Sequence, residues 1–387
     1  MFSTGIKFKN FIASNKLQES QIKKNLDLLL KLPNDVINSL DKSYKYSFDQ
    51  KKIYLKYKNF INHRVIGMGG SLLGTQAIYN FLKHKIKKNF FFIDNLKPIN
   101  KSYKKTKFLN LIVSKSGNTI ETILNSNFYI NKDDKNIFIT EKKNNYLFNL
   151  ANQLKAEIIH HNNYIGGRYS VLSEVGMLPA ELMGLNSKKF KQLNNLIKNK
   201  IFLKSLITNV ASTLHYIKNK KLNSVIINYD KNSESLFKWY QQLIAESLGK
   251  KSKGLLPIIS SMPKDNHSVM QLYLDGPKNN FFSFFFVNEK PSTKVFGNKI
   301  NSEFGYLKNK NFNEILYSQK KATENIFEKK KIPFRSFEVY KRSEKIMGEL
   351  FIFFILETIL LGKALNINPY DQPSVELIKT ETKRILI

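Results

Sequence analysis

The stretch Ser114–Thr119 (SKSGNT) carries the side chains best suited to chemistry in this chain. It follows an apolar run, Leu109–Val113, which predicts a buried strand, and it precedes a helical pattern that begins at Ile120. The first turn of a helix presents unpaired backbone N–H groups and the positive end of its dipole, so a hydroxyl-rich turn there can bind an anion. Gly117 would let the backbone approach that anion closely. An ordinary N-cap with a Ser/Thr turn is the alternative for this stretch alone.

A second turn of the same kind is Gly67–Ser71 (GMGGS), which ends the first predicted strand and opens a helix. Its glycines, Gly70 among them, permit a tight turn and backbone contact with a ligand, and Ser71 can bind an oxyanion or cap the helix. The spacing differs from the G-x-G-x-x-G of dinucleotide-binding folds, which remain a weaker alternative.

The turn Gly166–Ser170 (GGRYS) follows the fifth predicted strand and carries Arg168. Only five of the 63 basic residues are arginines, so a guanidinium at this place favours a role that needs its planar fork, such as facing a developing oxyanion. A buried structural ion pair is the alternative.

Gln242 and Glu246 are four residues apart, so they share one helical face, away from the apolar stripe of that helix. A solvated polar face would give the same pattern. His267 lies in a helical or turn segment, and Lys379 lies on the last predicted helix. Taken alone, neither residue indicates a function. The remaining histidines lack metal-ligand spacing, so we expect no metal site.

Composition narrows the class of protein. A chain of 387 residues with 42% hydrophobic content has room for two domains, and the absence of cysteine excludes disulfides and thiolate chemistry. The net charge of +33 can indicate a nucleic-acid partner, but the lysines are spread along the chain without a nucleic-acid-binding motif. We therefore predict no nucleic-acid partner, and only a weak, salt-dependent attraction of anionic substrates.

The N-terminal residues lack the apolar core of a signal peptide. The longest apolar run, Leu350–Leu361, is interrupted by Glu357 and is too short to span a bilayer. We expect a cytoplasmic protein that has no membrane partner. The all-round hydrophobicity of this run suits either a domain core or a large interface.

Short apolar runs alternate with helical patterns through both halves of the chain, which predicts doubly wound parallel sheets. The predicted strands are Arg64–Met68, Phe90–Asp94, Leu109–Ser114, Asn136–Thr140, Ala156–His160, Ser224–Tyr229, Gly254–Ile259, Phe281–Val287 and Ser336–Tyr340. The predicted helices are Leu17–Lys31, Asp35–Leu40, Leu72–Ile86, Thr119–Tyr129, Asn144–Leu154, Ser233–Leu248, Asn301–Lys329, Arg342–Leu365 and Gln372–Ile385. The polar stretch Asn186–Lys200 predicts a seam between two domains, residues 1–190 and 191–387.

Six segments, taken in order, resemble the phosphoglucose isomerase family. They are GMGGSLLGTQAI from Gly67, SKSGNTIET from Ser114, GGRYSVLSEVGMLPAEL from Gly166, QQLIAESLGK from Gln241, DNHSVMQLYLDGP from Asp265 and NPYDQPSVELIK from Asn368. The resemblance implies two flavodoxin-like sugar isomerase (SIS) domains with added helices at both termini. It also implies a cofactor-free and metal-free isomerisation of glucose 6-phosphate to fructose 6-phosphate through a cis-enediolate.

The resemblance also implies roles for individual residues. Glu246 would move the proton between C1 and C2, Arg168 would stabilise the enediolate, and His267 and Lys379 would open the sugar ring. The residues expected to bind the substrate are Gly70, Ser71, Ser114, Lys115, Ser116, Thr119, Gln242 and Gln372, with Glu121 in support. The family supplies the histidine from a neighbouring subunit, so the resemblance implies a homodimer with a shared active site.

Asn118 and Ser374 stand where the family often has Thr and Gly. The alternatives are a related isomerase of mannose or amino-sugar phosphates and a non-catalytic regulator that binds a sugar phosphate. A regulator would have no need for Glu246, Arg168, His267 and Lys379 together, which favours the enzyme.

Overall fold

The computed structural model describes residues 3–12, 16–96, 107–131, 133–289, 294 and 300–387. These residues form two five-stranded sheets with helices packed against them. The strands are β1 Ile6–Lys9, β2 Asn62–Gly67, β3 Asn89–Ile93, β4 Leu109–Val113, β5 Lys135–Thr140, β6 Glu157–His160, β7 Asn223–Asn228, β8 Leu256–Ser261, β9 Asn280–Val287 and β10 Phe334–Val339. The α-helices are α1 Lys16–Lys31, α2 Asp35–Asn38, α3 Gln50–Tyr57, α4 Leu73–Phe81, α5 Ile120–Tyr129, α6 Tyr146–Gln153, α7 Glu174–Leu182, α8 Leu193–Ile197, α9 Lys200–Lys218, α10 Glu234–Leu248, α11 Met270–Asp275, α12 Phe312–Lys329, α13 Glu344–Ala364 and α14 Pro373–Leu386.

The first sheet is parallel throughout, with the strand order β3-β2-β4-β5-β6. This is the flavodoxin-like doubly wound order. β3 is added on one side of β2, and β4 and the later strands are added on its other side, so the strand order reverses at β2. β4 is buried along its whole length, as expected for a parallel strand beneath packed helices. Gly67 pairs with Val113, so the turns that follow β2 and β4 leave the sheet side by side.

The second sheet has the order β1-β10-β9-β7-β8, with β1 antiparallel and the other four strands parallel. The sequence analysis missed β1, because four residues of alternating pattern are too short to distinguish from a turn. Ile6 lies opposite Val339, so the N-terminal strand belongs to the sheet of the second half. The domain boundary near residue 190 stays a prediction.

Several helical regions differ from the sequence prediction, which also did not include α3 and α7. The polar seam contains the short helix α8. The next helix, α9, was not predicted; it begins at Lys200, where the Asn199 side chain caps it by accepting a hydrogen bond from Phe202 N at 3.2 Å. The helix expected from residue 301 begins only at Phe312, where Asn311 and Glu314 form a reciprocal capping box.

The apolar run Leu350–Leu361 lies inside α13, which packs against α9 and α10 of the same chain. The sequence left two settings open for this run, a domain core or a large interface, and the structure shows it in the core. Glu357 is buried within it and accepts hydrogen bonds from Asn209 Nδ2, at 2.6 Å, and from Arg335 Nη1. Within the described part of the chain, every helix is too short or too polar to cross a membrane.

Candidate active site

A cleft of about 420 Å³ opens where the turns after β2 and β4 face the C-terminal end of α10 and the start of α14. Ligands of open α/β sheets bind at the carboxyl ends of strands, where the strand order reverses, and this cleft lies at such a point. Its lining brings together most of the residues predicted for the site: Gly70, Ser71, Ser114, Lys115, Ser116, Thr119, Arg168, Gln242, Glu246, Gln372 and Lys379.

One wall of the cleft is built by two glycine turns in backbone contact. A Cβ on Gly70 would lie 2.2 Å from the carbonyl carbon of Gly167 and 2.4 Å from Arg168 N. Gly69 adopts φ of +52°, and a Cβ there would lie 2.7 Å from Gln242 Nε2. Larger residues would push this turn away from both Arg168 and α10, so glycine is required to close the wall.

The hydroxyl-rich turn faces the cleft as a small cradle at the start of α5. Ser114 Oγ and Thr119 Oγ1 lie 2.9 Å apart and share a hydrogen bond. Gly117 adopts φ of +69°, and a Cβ there would lie 1.8 Å from Asn145 Oδ1, the atom that caps α6. The turn therefore needs glycine at 117. Its hydroxyls and the first N–H groups of α5 form an environment that favours a bound anion.

Lys115 extends beside this cradle and reaches Glu141, with Nζ and Oε1 3.9 Å apart. Lys143 forms an ion pair with the other oxygen of the same carboxylate. Burial lowers the pKa of Lys115, an effect that the charge of Glu141 opposes. Two ammonium groups thus flank one buried carboxylate at the end of the cleft where an anion would bind.

The predicted face of α10 lies on the opposite wall. Gln242 Nε2 donates to Glu246 Oε2 at 2.8 Å, as the four-residue spacing predicts. The other oxygen, Oε1, accepts a hydrogen bond from Arg168 Nη1 at 2.9 Å. The carboxylate is therefore held between an amide and a guanidinium while it borders the cleft.

Arg168 is almost fully buried, at 1% exposure, and each of its five N–H groups has an acceptor. Nε donates to Ser247 Oγ at 2.7 Å, and Nη1 donates to Glu246 and, at 2.7 Å, to Gln372 Oε1. Nη2 donates to the carbonyl oxygens of Pro369 at 2.7 Å and Asp371 at 3.0 Å. This guanidinium thus links α10 to the loop that precedes α14.

Helix α14 starts directly after Gln372 and runs along the open side of the cleft. Lys379 Nζ lies 2.6 Å from Glu376 Oε1 on the same helix, and both side chains border the cleft. The residues of α14 are exposed along its whole length, so the helix covers the site from outside the core.

Two predicted site residues lie outside the lining that the described residues form. Glu121 is half-buried in the first turn of α5, behind the cradle. His267 is exposed in a short helical turn, Lys264–His267, that follows β8. β8 pairs in parallel with β7, whose carboxyl end leads into α10, whereas Glu246 lies near the far end of that helix. In one chain, His267 thus lies at the carboxyl end of β8, whereas Glu246 lies toward the opposite end of the strands, because α10 runs back from the carboxyl end of β7.

Several residues of the site were not singled out from the sequence. Met68, Glu141, Lys143, Tyr370 and Glu376 border the cleft, and Ser247 binds Arg168 from behind. Glu141 follows the carboxyl end of β5, so the rule that identified the turns after β2 and β4 could also have found it. Ser247 carries no such signal, since a serine near a helix end is ordinary.

Comparison with known proteins gives consistent matches. The family model described as phosphoglucose isomerase matches residues 52–256. A glucose-6-phosphate isomerase of Methanocaldococcus jannaschii is 33% identical, over 90% of each chain, and one of Campylobacter jejuni is 31% identical, over 90% of this chain and 89% of its own.

Solved structures share the fold. A hypothetical protein of Thermus thermophilus aligns with a TM-score of 0.84 and 21% identity, over 95% of this chain and 94% of its own. A glucose-6-phosphate isomerase of Chlamydia trachomatis aligns with a TM-score of 0.75 and 16% identity, over 99% of this chain and 88% of its own. At these identities the likeness concerns the fold, and it agrees with the predicted pair of parallel sheets.

Proposed function

This chain belongs to the phosphoglucose isomerase family, and we propose that it uses the cleft between the first sheet and α10 to interconvert glucose 6-phosphate and fructose 6-phosphate. The observation that carries the proposal is the placement of Glu246, which borders the cleft between Gln242 and Arg168, across from the hydroxyl-rich cradle. A base and an anion cradle on opposite walls suit a substrate that has a phosphate at one end and a carbonyl at the other.

In the proposed reaction, Glu246 takes a proton from C2 of the open-chain aldose, and the electron pair of that C–H bond forms an enediolate. The same carboxyl group then returns the proton to C1, and the hydroxyl proton of O2 passes to O1, which leaves the carbonyl at C2 and gives the ketose. A carboxylate with two oxygens beside one cleft can serve both carbons without leaving its place. Gln242 holds one of these oxygens, at 2.8 Å, and thereby orients the carboxylate.

The enediolate carries negative charge that a fixed cation can stabilise, and Arg168 supplies that cation. Since all five of its N–H groups already have acceptors, a substrate oxygen must displace one of them. Gln372 is the acceptor best suited to leave, because it is a neutral side chain at the start of an exposed helix. The other acceptors belong to the base itself, to the backbone and to the buried Ser247.

Ring opening is assigned to His267 and Lys379, and the histidine would come from a second copy of the chain. His267 is exposed, it follows the carboxyl end of β8, and it does not border the cleft of its own chain, which supports a site completed across an interface. We therefore propose a homodimer in which each cleft receives His267 from its partner.

The activity is tested with purified protein and fructose 6-phosphate in the presence of EDTA, with glucose 6-phosphate detected by NADP-dependent oxidation. We expect turnover that EDTA does not reduce. Mannose 6-phosphate as product, measured in parallel, would instead favour an isomerase of another sugar phosphate. Binding of fructose 6-phosphate without turnover would favour a non-catalytic regulator.

The cradle can be tested by Ser116→Ala combined with Thr119→Val. We expect KM for fructose 6-phosphate to rise about 100-fold or more, because two hydrogen bonds to a charged group are lost and each contributes about 1.5 kcal/mol or more. The value of kcat should change little, since phosphate contacts are similar in the ground and transition states. Thr4→Val with Ser20→Ala, two exposed hydroxyls near the N-terminus, is the matched control. An unchanged KM would mean that the phosphate binds elsewhere.

The shared site can be tested by subunit exchange between Glu246→Gln and His267→Ala proteins, each inactive alone. In a mixed dimer one site carries both lesions and the other carries neither. We therefore expect recovery of about a quarter of wild-type activity after random exchange of a two-fold dimer. No recovery, with exchange demonstrated by differently tagged chains, would place His267 in its own chain's site or outside the reaction.

A further inference from the structure

We infer that Ser247 and Tyr169 are positioning residues, which hold the Arg168 guanidinium in the plane that the isomerisation needs through a one-directional chain of hydrogen bonds ending on the Pro369 carbonyl. The inference rests on the proposed role of Arg168 at the enediolate. Neither residue borders the cleft, so both act through the arginine.

The direction of the chain follows from its members. Arg168 Nε can only donate, and its acceptor is Ser247 Oγ at 2.7 Å. The carbonyl of Pro369 can only accept, and Tyr169 Oη lies 3.0 Å from it. The single phenolic proton is therefore committed to Pro369, and the 2.9 Å contact between Ser247 and Tyr169 is made by the serine proton. Each hydroxyl donates once and accepts once within the chain.

The residues that form this chain of hydrogen bonds are buried, so the loss of one bond is costly. Arg168, Tyr169 and Ser247 are each at most 1% exposed, so water cannot replace a lost partner. Burial raises the pKa of Tyr169 to about 12, so the phenol keeps the proton that it donates. Pro369 O also accepts from Arg168 Nη2, at 2.7 Å, so the chain closes on the guanidinium from a second side.

The place of Ser247 in α10 gives the chain its connection to catalysis. Ser247 directly follows Glu246, and both side chains bind the same guanidinium, through Nε and Nη1 respectively. One turn of helix thus fixes the base and the cation relative to each other. Loss of the Ser247 hydroxyl would leave Nε without its acceptor and would loosen the orientation of the guanidinium toward the charge that develops in the transition state.

The test compares Ser247→Ala, Tyr169→Phe and the control Ser212→Ala. Ser212 is a buried serine on α9 whose hydroxyl donates to Thr208 O at 2.8 Å, so its loss reports a general cost of removing a buried hydroxyl. For each protein, kcat and KM are measured with fructose 6-phosphate. Dissociation constants are measured for 5-phosphoarabinonohydroxamate, which mimics the enediolate, and for sorbitol 6-phosphate, which has no such charge.

We expect Ser247→Ala to lower kcat and hydroxamate affinity about 10- to 100-fold, and Tyr169→Phe to lower both about 3- to 10-fold. KM and sorbitol 6-phosphate affinity should stay within about threefold of wild type. A double variant that combines Ser247→Ala with Tyr169→Phe should lose no more kcat or hydroxamate affinity than Ser247→Ala alone, since both residues act in one chain of hydrogen bonds. Ser212→Ala should leave all four values unchanged.

The inference is overturned if both variants keep wild-type kcat and hydroxamate affinity, or if the two ligands lose affinity equally. Should Ser247→Ala fail to fold, Tyr169→Phe decides alone, because it keeps the ring and removes only the hydroxyl. An inactive wild-type protein would contradict the proposed function instead, and that result is separate from any difference among the variants.

Discussion

We expect replacement of Glu246 by Gln to lower kcat about 10²–10⁴-fold, while KM for fructose 6-phosphate stays within about threefold of wild type. The amide has the shape of the carboxylate but cannot take the proton from C2. The surroundings should accept it, because Gln242 Oε1 is buried and has no partner among the described residues. A rotation of the Gln242 amide would turn this oxygen toward the new NH₂ group. The fold should therefore survive, and steady-state kinetics with circular dichroism checks both points.

Glu234→Gln is the matched control, since Glu234 begins the same helix, is half-buried away from the cleft, and forms an ion pair of 3.6 Å with Lys238. It should keep wild-type kcat. Near-normal turnover in Glu246→Gln would remove Glu246 from the role of base, and an equal loss in Glu234→Gln would point to damage of α10 as a whole.

The sheets were predictable because their strands are buried parallel strands. β9, Asn280–Val287, is buried at every position, and its sequence, which is apolar apart from Asn280 and Ser283, indicates that burial. β1 was not predictable, because its partner β10 lies more than 300 residues away and its pattern covers four residues. The start of α12 was misplaced for a different reason, since the helical periodicity continues through the residues that precede its capping box.

The site divides in the same way. Turns such as Gly67–Ser71 were predictable because special backbone conformations and short hydroxyl side chains leave a local signature. Two of the groups that bind Arg168, the Ser247 hydroxyl and the Pro369 carbonyl, leave none. Ser247 and the carbonyl oxygen of Pro369 meet the guanidinium from two distant segments. Only folding shows that they join Glu246, Gln372 and Asp371 in providing acceptors for all five of its N–H groups. Sequence reasoning therefore named most of the residues that border the cleft and missed Ser247, which accepts a hydrogen bond from Arg168.

Because every N–H group of Arg168 already has an acceptor, we expect replacement of this residue to have a second large effect on kcat. Arg168→Lys keeps the positive charge, yet we expect kcat to fall about 10²–10³-fold with a much smaller change in KM. An ammonium has three N–H groups in place of five, and it lacks the planar fork that reaches Ser247, Glu246 and the Pro369 carbonyl at once. The cation would remain in the site but would no longer be fixed toward the enediolate. Kinetics with fructose 6-phosphate and hydroxamate binding measure both consequences.

Arg335→Lys supplies the control for this change, because Arg335 is equally buried and donates to Ser283 at 2.8 Å and Asn209 at 2.7 Å, away from the cleft. Both substitutions leave buried acceptors without a donor, so both should lower Tm. Only Arg168→Lys should lower the kcat of the folded enzyme. If the two variants lose kcat equally, the loss at 168 reflects a disturbed core. If Arg168→Lys keeps kcat within about threefold, a positive charge at that place is sufficient and the planar geometry of the guanidinium is not what stabilises the enediolate.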